Sequence, residues 1–257
     1  MFLSIDAGNS NIVFGFYNPA TEKWTHEFRL ETKMDLTLNY LVKNIQFYFL
    51  ENGLSATLVK AVGISSVVPE ISNLLVQFSE SFFNKSPHLI NERSYSSLLV
   101  STARPAEIGT DLMANAAAAY EYFRTACVVI DFGTALTFTI IDEQGKIMGV
   151  NIVPGLKTAI KSLFRNTSKL PEVKLEMPKS AIGKNTIHSI QAGILYGYTG
   201  LVKGMLAAIR KEMNREVKTI ATGGLSAIIS SLEGEFDMID RELTLKGIKL
   251  ITETNNP

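Results

Sequence analysis

Two aspartates about half a chain apart, Asp6 and Asp131, end short apolar runs and stand two residues before a glycine. The segments read Asp6-Ala7-Gly8-Asn9-Ser10-Asn11-Ile12-Val13 and Asp131-Phe132-Gly133-Thr134-Ala135-Leu136-Thr137. A carboxylate at the end of a strand can hold a hydrated Mg2+ whose charge neutralises a transferring phosphoryl group. The glycine lets the backbone turn and approach a ligand with no Cβ in the way. The N–H groups that follow, with the hydroxyl of Ser10 or Thr134, can donate to phosphate oxygens. Asp-x-Gly is also ordinary turn chemistry, so the weight falls on its repetition. Both copies follow an apolar strand and precede a second β run, a repeat of domain scale.

A third feature lies at residues 217–226, a short strand followed by Gly223-Gly224 and a helix beginning near Leu225. Adjacent glycines remove bulk where a base or ribose lies against backbone, and a helix N-terminus favours anionic groups. A third carboxylate, Asp111, falls in the first turn of a helix after Gly109-Thr110. There the macrodipole favours its ionised form. It can orient an acceptor hydroxyl and take its proton late in transfer, or simply stabilise the helix start. Other nucleotide motifs fail. Gly183-Lys184 lacks the Walker pattern, having Pro178 and Asn185 where glycine and Ser/Thr are needed. No GxGxxG follows a strand, and Asp131-Phe132-Gly133 has no His-Arg-Asp loop or glycine-rich loop before it.

The elements that must position these residues follow from pattern. Strands are expected at residues 2–5, 12–17 and 24–30, and again at 127–130, 138–141 and 147–153, the last closed by Pro154-Gly155. Short strands are expected at 60–65 and 217–221. Leu38, Leu41, Val42, Ile45 and Phe49 give residues 35–50 a helical spacing, and helices are also expected at 110–124 and 186–213. Strands alternating with helices indicate an α/β class. We expect two similar domains, residues 1–120 and 121–257, whose hairpins face each other across a cleft. Gly193, Gly197, Gly200 and Gly204 make a smooth stripe on the longest helix, for close packing within the chain or across a dimer.

Composition sets the frame. Of 257 residues, 46% are hydrophobic and 19% charged, and Lys plus Arg equals Asp plus Glu at 25 each. That balance gives no basic excess for nucleic acid. The single cysteine, Cys127, sits in an apolar run and is expected to be an inert buried thiol; His26, His88 and His188 are too scattered for a histidine metal site. A carboxylate at position 6 comes too early for a signal peptide. No apolar stretch is expected to span a membrane, the longest helix carrying His188, Gln191 and Lys203. The compartment expected is the cytoplasm.

Taken together, these residues resemble the type III pantothenate kinases. Asp6 to Asn11 looks like the family's first phosphate motif and Ser65-Ser66-Val67-Val68-Pro69 like its strand-end motif. Gly109-Thr110-Asp111 resembles the acceptor motif, and Asp131-Phe132-Gly133-Thr134-Ala135 the second phosphate motif. Pro154-Gly155, Lys184-Asn185-Thr186, Gln191-Ala192-Gly193 and Ala221-Thr222-Gly223-Gly224-Leu225 follow in the family's order, so the match covers essentially the whole chain. The resemblance implies an α/β fold of two RNase-H-like (actin/sugar-kinase-like) domains facing each other across a nucleotide cleft, in a homodimer. It implies transfer of ATP's terminal phosphate to the primary hydroxyl of pantothenate, with Mg2+ and K+ or NH4+. It makes Asp111 the base, Asp6 to Val13 the ATP loop, Asp131 (with Asp6) the metal carboxylates and Thr134 an ATP contact. Gly109, Thr110, Asp111, Leu112 and Thr186 would line the pantothenate site, Thr186 from the partner subunit in one arrangement. Two positions depart: Leu112 stands where the family usually has Arg, and Thr102 where an aromatic is common. They leave room for another small alcohol as acceptor; a regulatory protein that binds nucleotide without turnover is the other alternative.

Overall fold

The computed structural model describes residues 1–224 and 230–256. The chain divides into two compact units, Met1–Glu121 with Leu243–Pro257, and Tyr122–Glu242.

The first unit is built on β1 (Phe2–Ala7), β2 (Asn11–Asn18), β3 (Lys23–Glu31), β4 (Ala61–Ser66) and β5 (His88–Leu89), in the order β3-β2-β1-β4-β5. β1 is central, antiparallel to β2 and parallel to β4. It is buried on both faces, and its apolar residues Phe2, Leu3, Ile5 and Ala7 are not confined to alternate positions. Helix α1 (Leu38–Glu51) starts at Thr37, whose side chain accepts from the Tyr40 N–H, and it buries Leu41, Ile45 and Phe49 one turn apart. Helix α2 (Pro69–Phe78) starts with proline in its first turn and buries Ile71, Leu75 and Phe78. Phe14 meets Phe78 edge-on at 6.0 Å and Phe16 meets Phe49 at 5.4 Å. Each such buried side chain stabilises the fold by roughly 1.5–3 kcal/mol. A two-residue strand, β6 (Ser101–Thr102), precedes α3 (Thr110–Phe123).

In the second unit the strands β7 (Cys127–Phe132), β8 (Ala135–Ile141), β9 (Lys146–Pro154), β10 (Lys218–Thr222) and β11 (Met238–Ile239) run in the order β11-β10-β7-β8-β9. β7 repeats the arrangement of β1, antiparallel to β8 and parallel to β10. One face of β7, carrying Val128, Ile130 and Phe132, packs in a core with Leu195, Tyr198, Val202, Leu206 and Ile209 of α5 (Thr186–Met213). Helix α4 (Leu156–Arg165) contributes Leu156 to the same core.

Two expectations change. The last helix, α6 (Leu243–Asn255), belongs to the first unit, whereas the sequence placed all of residues 121–257 in the second. The reason is close packing. Ser4 Oγ donates to the Leu245 carbonyl at 2.8 Å, and Thr244 Oγ1 bonds Asn115 Oδ1 of α3 at 2.8 Å. Gly15 and Gly63 leave room for Leu245, Ile248 and Thr252 of α6. Second, α5 is long and apolar enough to cross a membrane by length and composition, with a mean hydropathy of 1.3 over its best window. That mean is carried by Ile, Leu and Val side chains, and Leu195, Val202, Leu206 and Ile209 among them are buried in the core of the second unit.

Candidate active site

In the first unit the residues expected to form the nucleotide loop and the carboxylate expected at the acceptor are tied to one another. Asp6 lies opposite Val13 on β2 and Ser65 on β4, and Ala7 lies opposite Ile12 and Ser66. Beyond Ala7 the chain turns, the Gly8 N–H donating to the Asn11 carbonyl at 3.0 Å. Thr32 fastens the turn from behind, its Oγ1 donating to the Gly8 carbonyl at 2.7 Å and its N–H to the Ser10 carbonyl at 3.0 Å. Asn9, Ser10 and Asn11 are exposed, while Ile12 and Val13 are buried.

The strand-end motif at residues 65–69 joins this turn to α3. The Val67 N–H donates to the Ala7 carbonyl at 3.0 Å. Ser65, fully buried, shares a hydrogen bond of 2.8 Å between its Oγ and Thr110 Oγ1. α3 begins there, and the Met113 N–H donates to the Gly109 carbonyl at 3.0 Å. Asp111 folds back over this turn, its Oδ1 accepting from the Leu112 N–H at 2.8 Å. Leu112 is half-buried.

The ionisation of Asp111 departs from the sequence expectation. Burial raises its carboxyl above the usual carboxylate range, against the backbone N–H bonds of Leu112 and Asp111 that favour the charge. Desolvation outweighs the helix start, which makes Asp111 a better base than a solvent-exposed aspartate at a helix N-terminus. No motif marked Tyr95 as its neighbour. That phenol, 7% exposed, is pushed up to about 12 by burial first, then by the charges of Asp111 and Glu92. It is an aromatic within electrostatic reach of Asp111, supplied from outside the position of Thr102.

In the second unit the turn after β7 closes with the Gly133 N–H donating to the Ala135 carbonyl at 3.1 Å. Thr134 is exposed, and its carbonyl accepts from the Gly155 N–H at 3.0 Å and from Thr158 Oγ1 at 2.7 Å. The Pro154-Gly155 motif is thus a backstop for this loop: a Cβ on Gly155 would overlap the carbonyls of Gly133 and Thr134. On the other side of β7, Gly223 has φ +89, and a Cβ there would lie 2.5 Å from Asp131 Oδ1 and 2.7 Å from the Phe132 carbonyl carbon. Only glycine both adopts that backbone and lets β10 approach the carboxylate. Gly224 is exposed next to it; the helix expected near Leu225 lies outside the described residues.

Asp131 has a hydroxyl residue opposite it on each neighbouring strand, Thr137 on β8 and Thr222 on β10. Residues paired this way present their side chains on one face, with Cβ atoms of order 5 Å apart across an antiparallel pair. Thr137 is 9% exposed and Thr222 0%. Both Oγ1 atoms are buried with no hydrogen-bond partner among the described residues. A buried polar group left in that state costs about 1–3 kcal/mol. Among the described residues no group of three His, Cys, Asp or Glu stands ready for a metal. Cys127 is buried, its thiol pushed up to about 12 by that burial, consistent with an inert packing residue.

Thr186 opens α5. The helix is capped by Asn185, whose Oδ1 accepts from the His188 N–H at 2.9 Å. Thr186 lines an open cavity of about 630 Å3 with Lys184, Leu163, Leu170, Ile190 and Ile194. Further along α5, a Cβ on Gly193, Gly197, Gly200 or Gly204 would meet nothing within 4 Å, so packing within the chain does not require the stripe.

The arrangement has known relatives. The family model for type III pantothenate kinase matches residues 2–208. A type III pantothenate kinase from Syntrophobacter fumaroxidans is 40% identical over 256 residues, covering 99% of this chain and 98% of its own length. That from Anaeromyxobacter sp. (strain K) is 38% identical over 255 residues, covering 99% of this chain and all of its own. Among solved structures, a ROK family glucokinase from Streptomyces griseus aligns with a TM-score of 0.52 at 13% identity, covering 98% of this chain and 99% of its own. That likeness is one of fold, of the actin/sugar-kinase type. With two units repeating one strand–turn–strand plan and full-length similarity to these relatives, the chain belongs to the type III pantothenate kinase family.

Proposed function

We propose that this protein transfers the terminal phosphoryl group of ATP to the primary hydroxyl of pantothenate, giving 4'-phosphopantothenate, the first step of coenzyme A biosynthesis. The observation that carries the reading beyond family membership is Asp111, a carboxylate raised in pKa by burial and tied through Thr110, Ser65 and Val67 to the turn at Ala7-Gly8.

ATP enters as its Mg2+ complex. The exposed turn of Asn9, Ser10 and Asn11 and the exposed Thr134 carry polar groups suited to its phosphates, and Gly223-Gly224 add no side-chain bulk on the side proposed for the nucleoside. Asp6 would hold that Mg2+ as one of few protein ligands, as suits an ion that keeps several waters. Asp131 would hold a monovalent cation, K+ or NH4+, which would supply positive charge to offset that of the phosphates. Asp111 accepts a hydrogen bond from the pantothenate hydroxyl and orients it for in-line attack. The new P–O bond forms as the bond to the ADP oxygen breaks, and the hydroxyl proton passes late to the Asp111 carboxylate. Gly109, Thr110 and Leu112 border the acceptor, and Thr186 approaches it from the partner subunit of a homodimer. The solvent-facing glycine stripe of α5 supports that dimer. The balanced charge, with no basic excess, supports a protein without a nucleic-acid partner; a cytoplasmic location with no membrane partner is part of the same proposal.

The test is ADP release from ATP and Mg2+ with pantothenate, with and without K+ or NH4+. Pantothenate-dependent release that needs the monovalent cation and is lost in Asp111→Asn is the expected result. Release with another small alcohol but not with pantothenate would sink the reading, and Leu112 would then be the first residue to examine.

A further inference from the structure

We propose that the hydroxyls of Thr137 and Thr222 are direct ligands of a monovalent cation held with Asp131, a role that rests on the reading of Asp131 as the cation carboxylate.

The three residues form one row across three strands. Thr137, Asp131 and Thr222 are mutually aligned in the β8-β7-β10 ladder and share a face. That face lies opposite the one on which Val128, Ile130 and Phe132 meet the α5 core. Both hydroxyls are buried and neither has a protein partner among the described residues. Gly223 leaves the carboxylate room on the β10 side, where any Cβ would strike Asp131 Oδ1. Two orphaned oxygens flanking one carboxylate call for a third party that takes oxygen ligands.

The donor set selects the class of that ligand. One formal negative charge and two neutral hydroxyls suit a single positive charge. Divalent oxygen sites recruit more carboxylates, and no cluster of three acidic or metal-binding residues is present among those described. Mg2+ also keeps most of its water, for which two buried hydroxyls on residues 9% and 0% exposed leave little space. A weakly hydrated monovalent cation sheds its shell for such oxygens. An ordered water bridging the two hydroxyls is the competing occupant.

The experiment follows thermal unfolding of the full chain with a non-hydrolysable ATP analogue and Mg2+, replacing choline chloride by KCl at constant ionic strength. A cation that binds only the folded state raises the melting temperature with its concentration. The K+ midpoint of that rise is expected to move at least about tenfold in Thr137→Val and in Thr222→Val, the scale on which lost site partners weaken metal binding. Thr137→Ser and Thr222→Ser, which keep the oxygen, should stay close to wild type. In choline alone the valine variants should melt at or above wild type, because they remove a buried hydroxyl that bonds nothing. Valine variants with the wild-type K+ midpoint, beside an Asp131→Asn variant that has lost the K+ response, would overturn the proposal and leave Asp131's role standing. No K+ response in wild type would overturn both. A valine variant that melts lower in choline would also overturn it, by showing that the hydroxyl has a structural partner. If a valine variant does not fold, anomalous scattering from Tl+ soaked into wild-type crystals decides. A peak in contact with both hydroxyls supports the proposal, and Tl+ elsewhere or only water between them refutes it.

Discussion

The two strand–turn–strand units share a ladder and differ in what stands beside the acid. In each, a central strand pairs antiparallel with the next strand and parallel with a later one, and an aspartate sits near its end. Beside Asp6 the partners are Val13 and Ser65; beside Asp131 they are Thr137 and Thr222. Ser65 and Thr222 therefore occupy the same place on the parallel neighbour. Ser65 is engaged, bonding Thr110 at the start of the acceptor helix. Thr222 bonds nothing described. On the reading proposed above, one scaffold serves two tasks: the first unit's hydroxyl fixes Asp111 relative to the turn at Gly8, and the second unit's hydroxyls are left for a ligand.

The largest effect should come from the residue found only in the first unit's elaboration, Asp111. Replacing it by Asn removes the proton acceptor and should lower kcat by roughly 10²–10⁴-fold. Stability should respond in the opposite sense. Burial raises the folded carboxyl above its unfolded value. The wild type and the variant should melt alike below the unfolded carboxylate pKa of about 3.9. As pH rises from there through the raised folded value, the unfolded chain ionises first and the wild type loses stability, which Asp111→Asn does not. At neutral pH the inactive variant should therefore melt at or above wild type. The same raised pKa should place the acid limb of the wild-type rate profile above the ordinary aspartate range. An acid limb within that range would mean that the base is some other group.

Two glycines near the strand ends, Gly223 after β10 and Gly8 after β1, sharpen the contrast. Gly223 has positive φ and abuts Asp131, so Gly223→Ala should cost about 1–3 kcal/mol of stability, through a strained backbone and a displaced carboxylate. At Gly8 an added Cβ would make only an ordinary contact, 3.5 Å from the Asn11 carbonyl. Gly8→Ala should leave the melting temperature within about 1–2 °C of wild type, as for a change of under about 0.5 kcal/mol. Its effect should appear in the KM for ATP. A large loss of stability in Gly8→Ala, with KM unchanged, would mean that the turn is structural and has no ligand to admit.

Much of this was legible in sequence because it is local. The two acid-tipped hairpins are turn chemistry between apolar runs, and α5 spans residues 186–213, as its spacing indicated. The start of α3 followed from Gly109-Thr110-Asp111. What the sequence did not yield depends on contacts distant in the chain. The apolar pattern of α6 does not say that Leu245 will lie against Gly15, so the return of the C-terminal helix to the first unit was missed. The charge state of Asp111 was read from its helix position, while its desolvation, which decides the direction, arises from surrounding structure. Thr137 ended the quoted segment that begins at Asp131, and Thr222 lay beside the glycines. The β7–β8 hairpin sets Thr137 opposite Asp131, and only the parallel pairing of β10 with β7 adds Thr222.

A modest effect tests the comparison most directly, because it asks equivalent ladder positions to respond differently. Ser65→Ala deletes a fully buried hydroxyl that bonds Thr110 Oγ1 at 2.8 Å. Thr110 would retain a longer approach, 3.4 Å, to the Ser66 carbonyl. The loss should be near the usual net worth of one hydrogen bond, about 1 kcal/mol. For a protein of this size that is about 2–4 °C in melting temperature. Thr222→Val at the corresponding position on β10 should, without K+, show no loss or a gain. Because the lost bond also anchors the helix that carries Asp111, Ser65→Ala should lower kcat more than it raises the KM for ATP. If the two substitutions destabilise alike in choline, the hydroxyls serve the same structural purpose in both units, and the division of labour drawn between Ser65 and Thr222 fails.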